Sequence, residues 1–343
     1  MNRADAVAVV LMIGIAMYAV FGGADFGAGL WSLLAGGGDR GRRPRELIDW
    51  AIGPVWEANH VWLIFVLVVL WTGFSPAFEA IFSTLFIPLS LAALGVVFRG
   101  AGFAFQHNAR RAGGRVLAAA LFGLASLLTP FFLGTVVGAI AGGRVPVGNA
   151  TGDLWTSWLN PLSLVVGALF VATGAYLASV FLVSDARRAG APDLERYFAT
   201  RALVTAVVTG ALAVVGLVFL QRDARYIFDR LTGEALPLVI LSAACGIGVL
   251  VLLHRGARRG ARALAVGAVV AVIAGWGVAQ WPYLLPEKLT IGDAAAPGET
   301  LAGVLVVFGA AVVVVLPAIG LLFTLVQREL VEETSRPTDA SRG

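Results

Sequence analysis

Lysine is almost missing from this chain of 343 residues: Lys288 stands alone among 25 basic side chains. Cysteine occurs once, at Cys245, which excludes an internal disulfide and a thiolate metal cluster. Set in an apolar run, that cysteine reads as a small hydrophobe. The charged share is 13%, about half that of an ordinary soluble domain, and the chain is therefore not one. Metal-ligand spacings, phosphate-binding loops and nucleophile elbows are absent from the sequence. Its net charge of +4 comes from arginines scattered between apolar runs rather than gathered in a patch, which argues against a nucleic-acid partner.

What fills the space is hydrophobic: 59% of the residues, with a mean hydropathy of +0.86. Apolar runs long enough to cross a hydrocarbon core of about 30 Å recur from end to end. Helical spans are expected at 5–35, 46–72, 77–105, 116–143, 158–184, 193–221, 235–254, 261–285 and 299–328. The fold class is an all-α integral membrane protein with nine transmembrane helices, a count that a pseudo-symmetric pair of four-helix bundles would fit. The first run is too long for a cleaved signal and is read as a span.

Arginines sort by loop. Arg40, Arg42, Arg43 and Arg45 follow the first span, Arg110, Arg111 and Arg115 the third, Arg187 and Arg188 the fifth, and Arg255, Arg258 and Arg259 the seventh. Even-numbered loops carry fewer, the sixth excepted. This bias predicts cytoplasmic odd loops, an outer N-terminus and a cytoplasmic C-terminus in a cell membrane. Trp71, Trp155, Trp158, Trp281 and Tyr283 near span ends suit an interfacial aromatic belt. Gly23 and Gly27 on span one, and Gly134, Gly138 and Gly142 on span four, predict two close helix contacts. Pro54, Pro88, Pro130 and Pro161 fall inside or at the start of spans, where each removes a backbone donor.

Ionisable groups at this depth are costly and usually face a bundle interior or a wet cavity. Four of them share one depth range: Asp25 on span one, Glu57 and His60 on span two, and Arg99 on span three. Glu57 and His60 are one turn apart and share a face, with Trp56 and Asn59 on the neighbouring stripe; Tyr18 is two turns from Asp25. Acids with hydroxyl and imidazole partners can station waters and pass protons. The same acids also suit a plain helix-to-helix hydrogen bond. Arg99 is either the counter-ion of Asp25 or Glu57 or a side chain snorkelling to the surface. Of the three histidines, His60, His107 and His254, only His60 lies deep, so a two-haem electron path within this chain is excluded.

Certain segments resemble a known family. Tyr18-Ala-Val-Phe-Gly-Gly-Ala-Asp-Phe-Gly-Ala-Gly, Gly53-Pro-Val-Trp-Glu-Ala-Asn-His-Val-Trp, Arg99-Gly100, Gly275-Trp-Gly-Val-Ala-Gln-Trp-Pro-Tyr-Leu-Leu-Pro and Leu289-Thr-Ile are similar to subunit II of the cytochrome bd-type quinol oxidases. The resemblance implies a four-helix bundle over 5–143, a second over 158–285, a peripheral helix over 299–328 and a cytoplasmic tail over 329–343. It implies a haem-free chain packed against a haem-bearing subunit I that carries two b-type haems and haem d. Menaquinol or ubiquinol would be the substrate of that complex, with room for a structural quinone or lipid and for a small accessory subunit. It also places a proton route on Asp25 and Glu57; the residue reading adds His60 and Arg99 to the route and its electrostatics, with Tyr18, Trp56 and Asn59 in support. Position 57 is Glu where many relatives have Asp, and position 60 is His where they often have Glu. The arginine-rich, lysine-poor composition suits a GC-rich bacterium such as an actinobacterium. Two other functions fit the residues: a proton-coupled secondary transporter, with broken helices framing a site, and a purely structural scaffold subunit.

Overall fold

Asn2 opens the first helix by accepting from Asp5 N at 2.7 Å while the Asp5 carboxylate accepts from Asn2 N at 3.2 Å. This reciprocal pair satisfies two amides that the helix start leaves free. The computed structural model describes residues 2–36, 38–52, 56–108, 112–256 and 259–334, without the side chains of 38–40, 52, 56–58, 106–108, 112, 113, 115, 315, 316, 319 and 322–334. The chain runs through α1 (Arg3–Met17), one π turn (Tyr18–Gly22), α2 (Gly23–Leu34), α3 (Gly38–Ile52), α4 (Trp56–Gly73), α5 (Ser75–Thr84), α6 (Phe86–Asn108) and α7 (Ala112–Ala141). It continues through α8 (Pro161–Arg188), α9 (Pro192–Asp223), α10 (Arg225–Thr232), α11 (Leu236–His254) and α12 (Ala261–Gln280). Strands β1 (Tyr283–Leu285) and β2 (Leu289–Thr290) form a small antiparallel hairpin, followed by α13 (Ile291–Ala294) and α14 (Gly298–Thr334).

The molecule is an all-α integral membrane protein. Among the described residues, 7 helices are long and apolar enough to cross a bilayer, or up to 8 if the bent pair α4 and α5 counts as one span; Gly298–Val314 adds a shorter apolar stretch. Lipid-facing positions explain the exposed valines of α9 and isoleucines of α11, such as Val207, Val214, Ile240 and Ile247.

Three expectations need correction. The span expected at 77–105 is two helices: Pro88 cannot donate to the carbonyl of Thr84, the ladder breaks at Leu85, and α5 turns 119° from α4. The span expected to reach 285 stops at Gln280, because Pro282 cannot continue it, and the next residues form the hairpin instead. Trp158 is not in an interfacial belt. It is 5% exposed and packs in a core with Phe74, Ala77, Leu285, Leu289 and Ala294 that closes one end of the bundle, whereas Trp71, Trp155 and Trp281 are exposed. Pro54 lies outside the described residues.

Glycines bring two spans, α2 and α7, onto α8. A Cβ on Gly27 would overlap Gly174 O, and a Cβ on Gly174 would come within 2.7 Å of Gly23 O. On the other side a Cβ on Gly134 would lie 2.7 Å from Gly167 Cα, and one on Gly138 would lie 2.6 Å from Ser163 Cα. Helices pack this closely only through small residues, which matters where lipid offers no hydrophobic drive. Thus both glycine seams read from the sequence meet one helix.

Ion pairs tie the arginine-rich end. Arg43 bonds Asp193, Arg187 reaches Glu195 at 2.5 Å, and Arg262 donates to Phe181 O at 2.7 Å and to Asp185 Oδ2 at 2.6 Å, with Arg188 on the other oxygen at 3.0 Å. Asp185 is the shared acceptor between α8 and α12. Its replacement by asparagine is expected to cost about 1 kcal/mol, since the pair is partly exposed. Thermal unfolding in detergent checks this; an unchanged midpoint would show the pair to be ornamental.

Candidate functional site

A π turn precedes the site, and the extra residue it accommodates shifts everything after it around the helix. Such turns are rare and recur at functional positions. Here it packs the Tyr18 ring against Gly22, where any Cβ would come within 2.7 Å of that ring. Tyr18 then lies 6.4 Å from Phe26, edge to face, and 6.3 Å from His60, centroid to centroid. Asp25 follows on the first turn of α2 at 4% exposure.

Arg99, from α6, is fully buried. Its Nη2 donates to Asp25 Oδ1 at 2.8 Å and to Asp25 O at 3.3 Å, and its Nη1 stands 3.5 Å from His60 Nε2. The rings of Phe26 and Phe122 cover the guanidinium at 5.0 and 4.8 Å. Arg99 is therefore a counter-ion of Asp25, not a snorkelling side chain. Taking two charges out of water costs several kcal/mol per ion, and their attraction repays it only with good geometry and further hydrogen bonds. The two aromatic faces add cation–π attraction of about 2 kcal/mol when desolvated.

Asp25 Oδ2 and Tyr18 Oη are buried and have no hydrogen-bond partner among the described residues. A carboxylate with one oxygen bonded to the guanidinium and the other without a partner among the described residues can take a proton or a water on that second oxygen while the Arg99 hydrogen bond to Oδ1 stays in place.

The structure brings together Asp25, His60, Arg99 and Tyr18 of the residues read from the sequence. Asn59 is buried one position before His60. The side chains of Trp56, Glu57 and His107 lie outside the described residues; Glu57 sits on the first turn of α4, one helical turn before His60. Glu79 and His254 are exposed and apart from the site. Cys245 is half-buried on α11, beside Gly267. Sequence reasoning confined the site to three spans and missed α7, which supplies Phe122 and Ser126. The available signal was small: a serine within an apolar run, opposite the glycines of span one.

Among the described residues no three His, Cys, Asp or Glu side chains gather as a metal site. His60 Nε2 faces Arg99 Nη1 at 3.5 Å.

A polytopic helical bundle that buries a carboxylate–guanidinium pair behind a π turn is a membrane protein that keeps a charge pair in its interior. The chain belongs to the cytochrome bd terminal oxidase subunit II family, whose model matches residues 4–326. It is 22% identical over 220 residues to the putative cytochrome bd menaquinol oxidase subunit II of Bacillus subtilis (strain 168), covering 64% of this chain and 62% of that one. To the cytochrome bd-I ubiquinol oxidase subunit 2 of Escherichia coli (strain K12) it is 28% identical over 169 residues, covering 47% of this chain and 42% of that one. The chain thus spans less than two thirds of the length of these curated relatives. A chain of the bd oxidase from Geobacillus thermodenitrificans superposes with a TM-score of 0.73 at 25% identity, over 95% of this chain and 98% of that chain.

Proposed function

We propose that this chain is the haem-free second subunit of a quinol:dioxygen oxidoreductase in a bacterial cell membrane, and that it gives protons a way in from the cytoplasm. Family membership and the fold-wide likeness to a bd oxidase chain support the first part. The observation that carries the second is the buried Asp25 carboxylate, held by Arg99 through one oxygen and open at the other.

In this reading nine spans form two four-helix bundles, over 5–143 and 158–285, with a peripheral helix at 299–328 and a tail over 329–343. The arginine-rich end is cytoplasmic and the N-terminus is outside. A partner subunit I binds the two b-type haems and haem d and oxidises menaquinol or ubiquinol; the relatives' names include both quinols. Those haems supply the reduction of dioxygen to water. This chain's residues do something simpler. Glu57 and Asp25 hand protons inward, His60 and Tyr18 lie beside Asp25, and Arg99 balances the charge of the buried carboxylate so that no uncompensated anion is left there. The GC-rich, actinobacterial reading of the composition belongs to the same proposal.

Glu57→Gln in the assembled oxidase is expected to slow quinol-driven oxygen consumption by about tenfold or more while leaving the haem absorbance intact. Unchanged consumption, with assembly verified, would remove Glu57 from the route. The scaffold reading has its own support in the Asp25–Arg99 pair, which pins α2 to α6. The same variant separates the two readings, since a scaffold defect would lose haem together with activity. Membership of an oxidase subunit family displaces the transporter reading.

A further inference from the structure

Arg99 has one more partner, and the proton route does not use it. Its Nε donates to Ser126 Oγ at 3.1 Å, while the Ser126 hydroxyl donates its own proton to Phe122 O at 2.7 Å, one turn back on α7. With that hydrogen committed to a carbonyl, the serine oxygen can only accept from Arg99. Ser126 is 1% exposed. Gly29 closes the pocket behind it: a Cβ there would overlap Ser126 Oγ and come within 2.7 Å of Ser126 Cβ. The serine is therefore fixed from three sides, by α2, by its own helix and by the guanidinium.

The geometry of arginine gives this contact a consequence. Nε and Nη2 lie on one edge of the planar fork, and a carboxylate that meets this edge side-on takes both donors at once. Here Nε is occupied by Ser126, and Asp25 receives only Nη2, through Oδ1 and its main-chain oxygen. Among the described residues Oδ2 has no hydrogen bond.

We propose that Ser126 is a positioning residue: by occupying Nε it keeps Arg99 from gripping both oxygens of Asp25, and so reserves Oδ2 for the transferred proton. The inference rests on the reading that Asp25 belongs to the proton route. Without the hydroxyl, the buried Nε–H lacks its present acceptor, and a side-on pair with Asp25 would satisfy it. Both oxygens are then masked, and protonation has to break a two-pronged ion pair.

The test compares purified oxidase carrying Ser126→Ala, Ser126→Thr or Asp25→Asn with wild type, reading oxygen consumption per haem in water and in deuterium oxide. Ser126→Ala is expected to slow turnover by roughly threefold to tenfold and to raise the solvent isotope effect, because proton transfer becomes the slower step. A packing defect alone would lower the amount of assembled enzyme without changing its isotope effect. Wild-type rate and isotope effect in Ser126→Ala, with Asp25→Asn impaired, would overturn the positioning role and leave the proton route standing. Wild-type behaviour in both variants would overturn the route and this inference together. If Ser126→Ala fails to assemble, Ser126→Thr decides: a wild-type isotope effect supports the proposal, and a raised one with its hydroxyl present overturns it.

Discussion

Arg99→Ala is expected to destabilise the subunit by about 3–5 kcal/mol. The loss comes less from the missing attraction than from what remains, a 4% exposed carboxylate with its cation removed and two phenyl rings facing an empty slot. Against a typical total stability of about 5–15 kcal/mol, that is enough to prevent accumulation of the complex. The double variant Asp25→Leu with Arg99→Leu separates structure from function. Replacing a buried pair by apolar groups is often neutral or better, so membrane levels are expected to recover while quinol oxidation does not. Immunoblotting of membranes and an oxygen electrode measure the two outcomes; recovery of both would mean that the pair serves only to hold α2 against α6.

Gly27→Leu is expected to separate α2 from α8 and to abolish assembly. The position of a Cβ at residue 27 is taken by the main-chain oxygen of Gly174, and backbone cannot step aside as a side chain tip can. Overpacking a tight contact costs about 1–3 kcal/mol even when neighbours repack, and here they cannot. Gly210→Leu on α9 and Gly246→Leu on α11 are the controls, because nothing lies within 4 Å of a Cβ at either position. Those variants are expected to assemble at wild-type levels in the same membranes. Equal loss in all three would show that the seam has no special role.

Much of this was legible in the sequence for a physical reason. Long apolar runs have to be helices in lipid, because no other local structure satisfies their backbone. The spacing of Gly23 with Gly27 and of Gly134 with Gly138 marked close contacts, though the shared partner α8 could not be read from either pair. Span polarity put Asp25, His60 and Arg99 at one depth, but whether Arg99 turned inward or toward the surface depended on Ser126, Phe122 and Gly29, residues with no signal of their own. The break at Leu85 was missed because hydropathy does not register geometry: α5 and α6 are both apolar, and only Pro88 hints at the interruption. Trp158 was misplaced for a similar reason. Tryptophan near a span end suits an interface, yet here the hairpin and α13 fold over it and make a core.

The most direct test of the account is proton uptake during a single turnover of the detergent-solubilised, fully reduced oxidase mixed with oxygen, followed with a pH dye in wild type and in Asp25→Asn. The account predicts an intact haem spectrum in the variant and proton uptake slowed by about tenfold or more, with oxygen binding unaffected. Uptake at the wild-type rate in an enzyme with its full haem complement would contradict it.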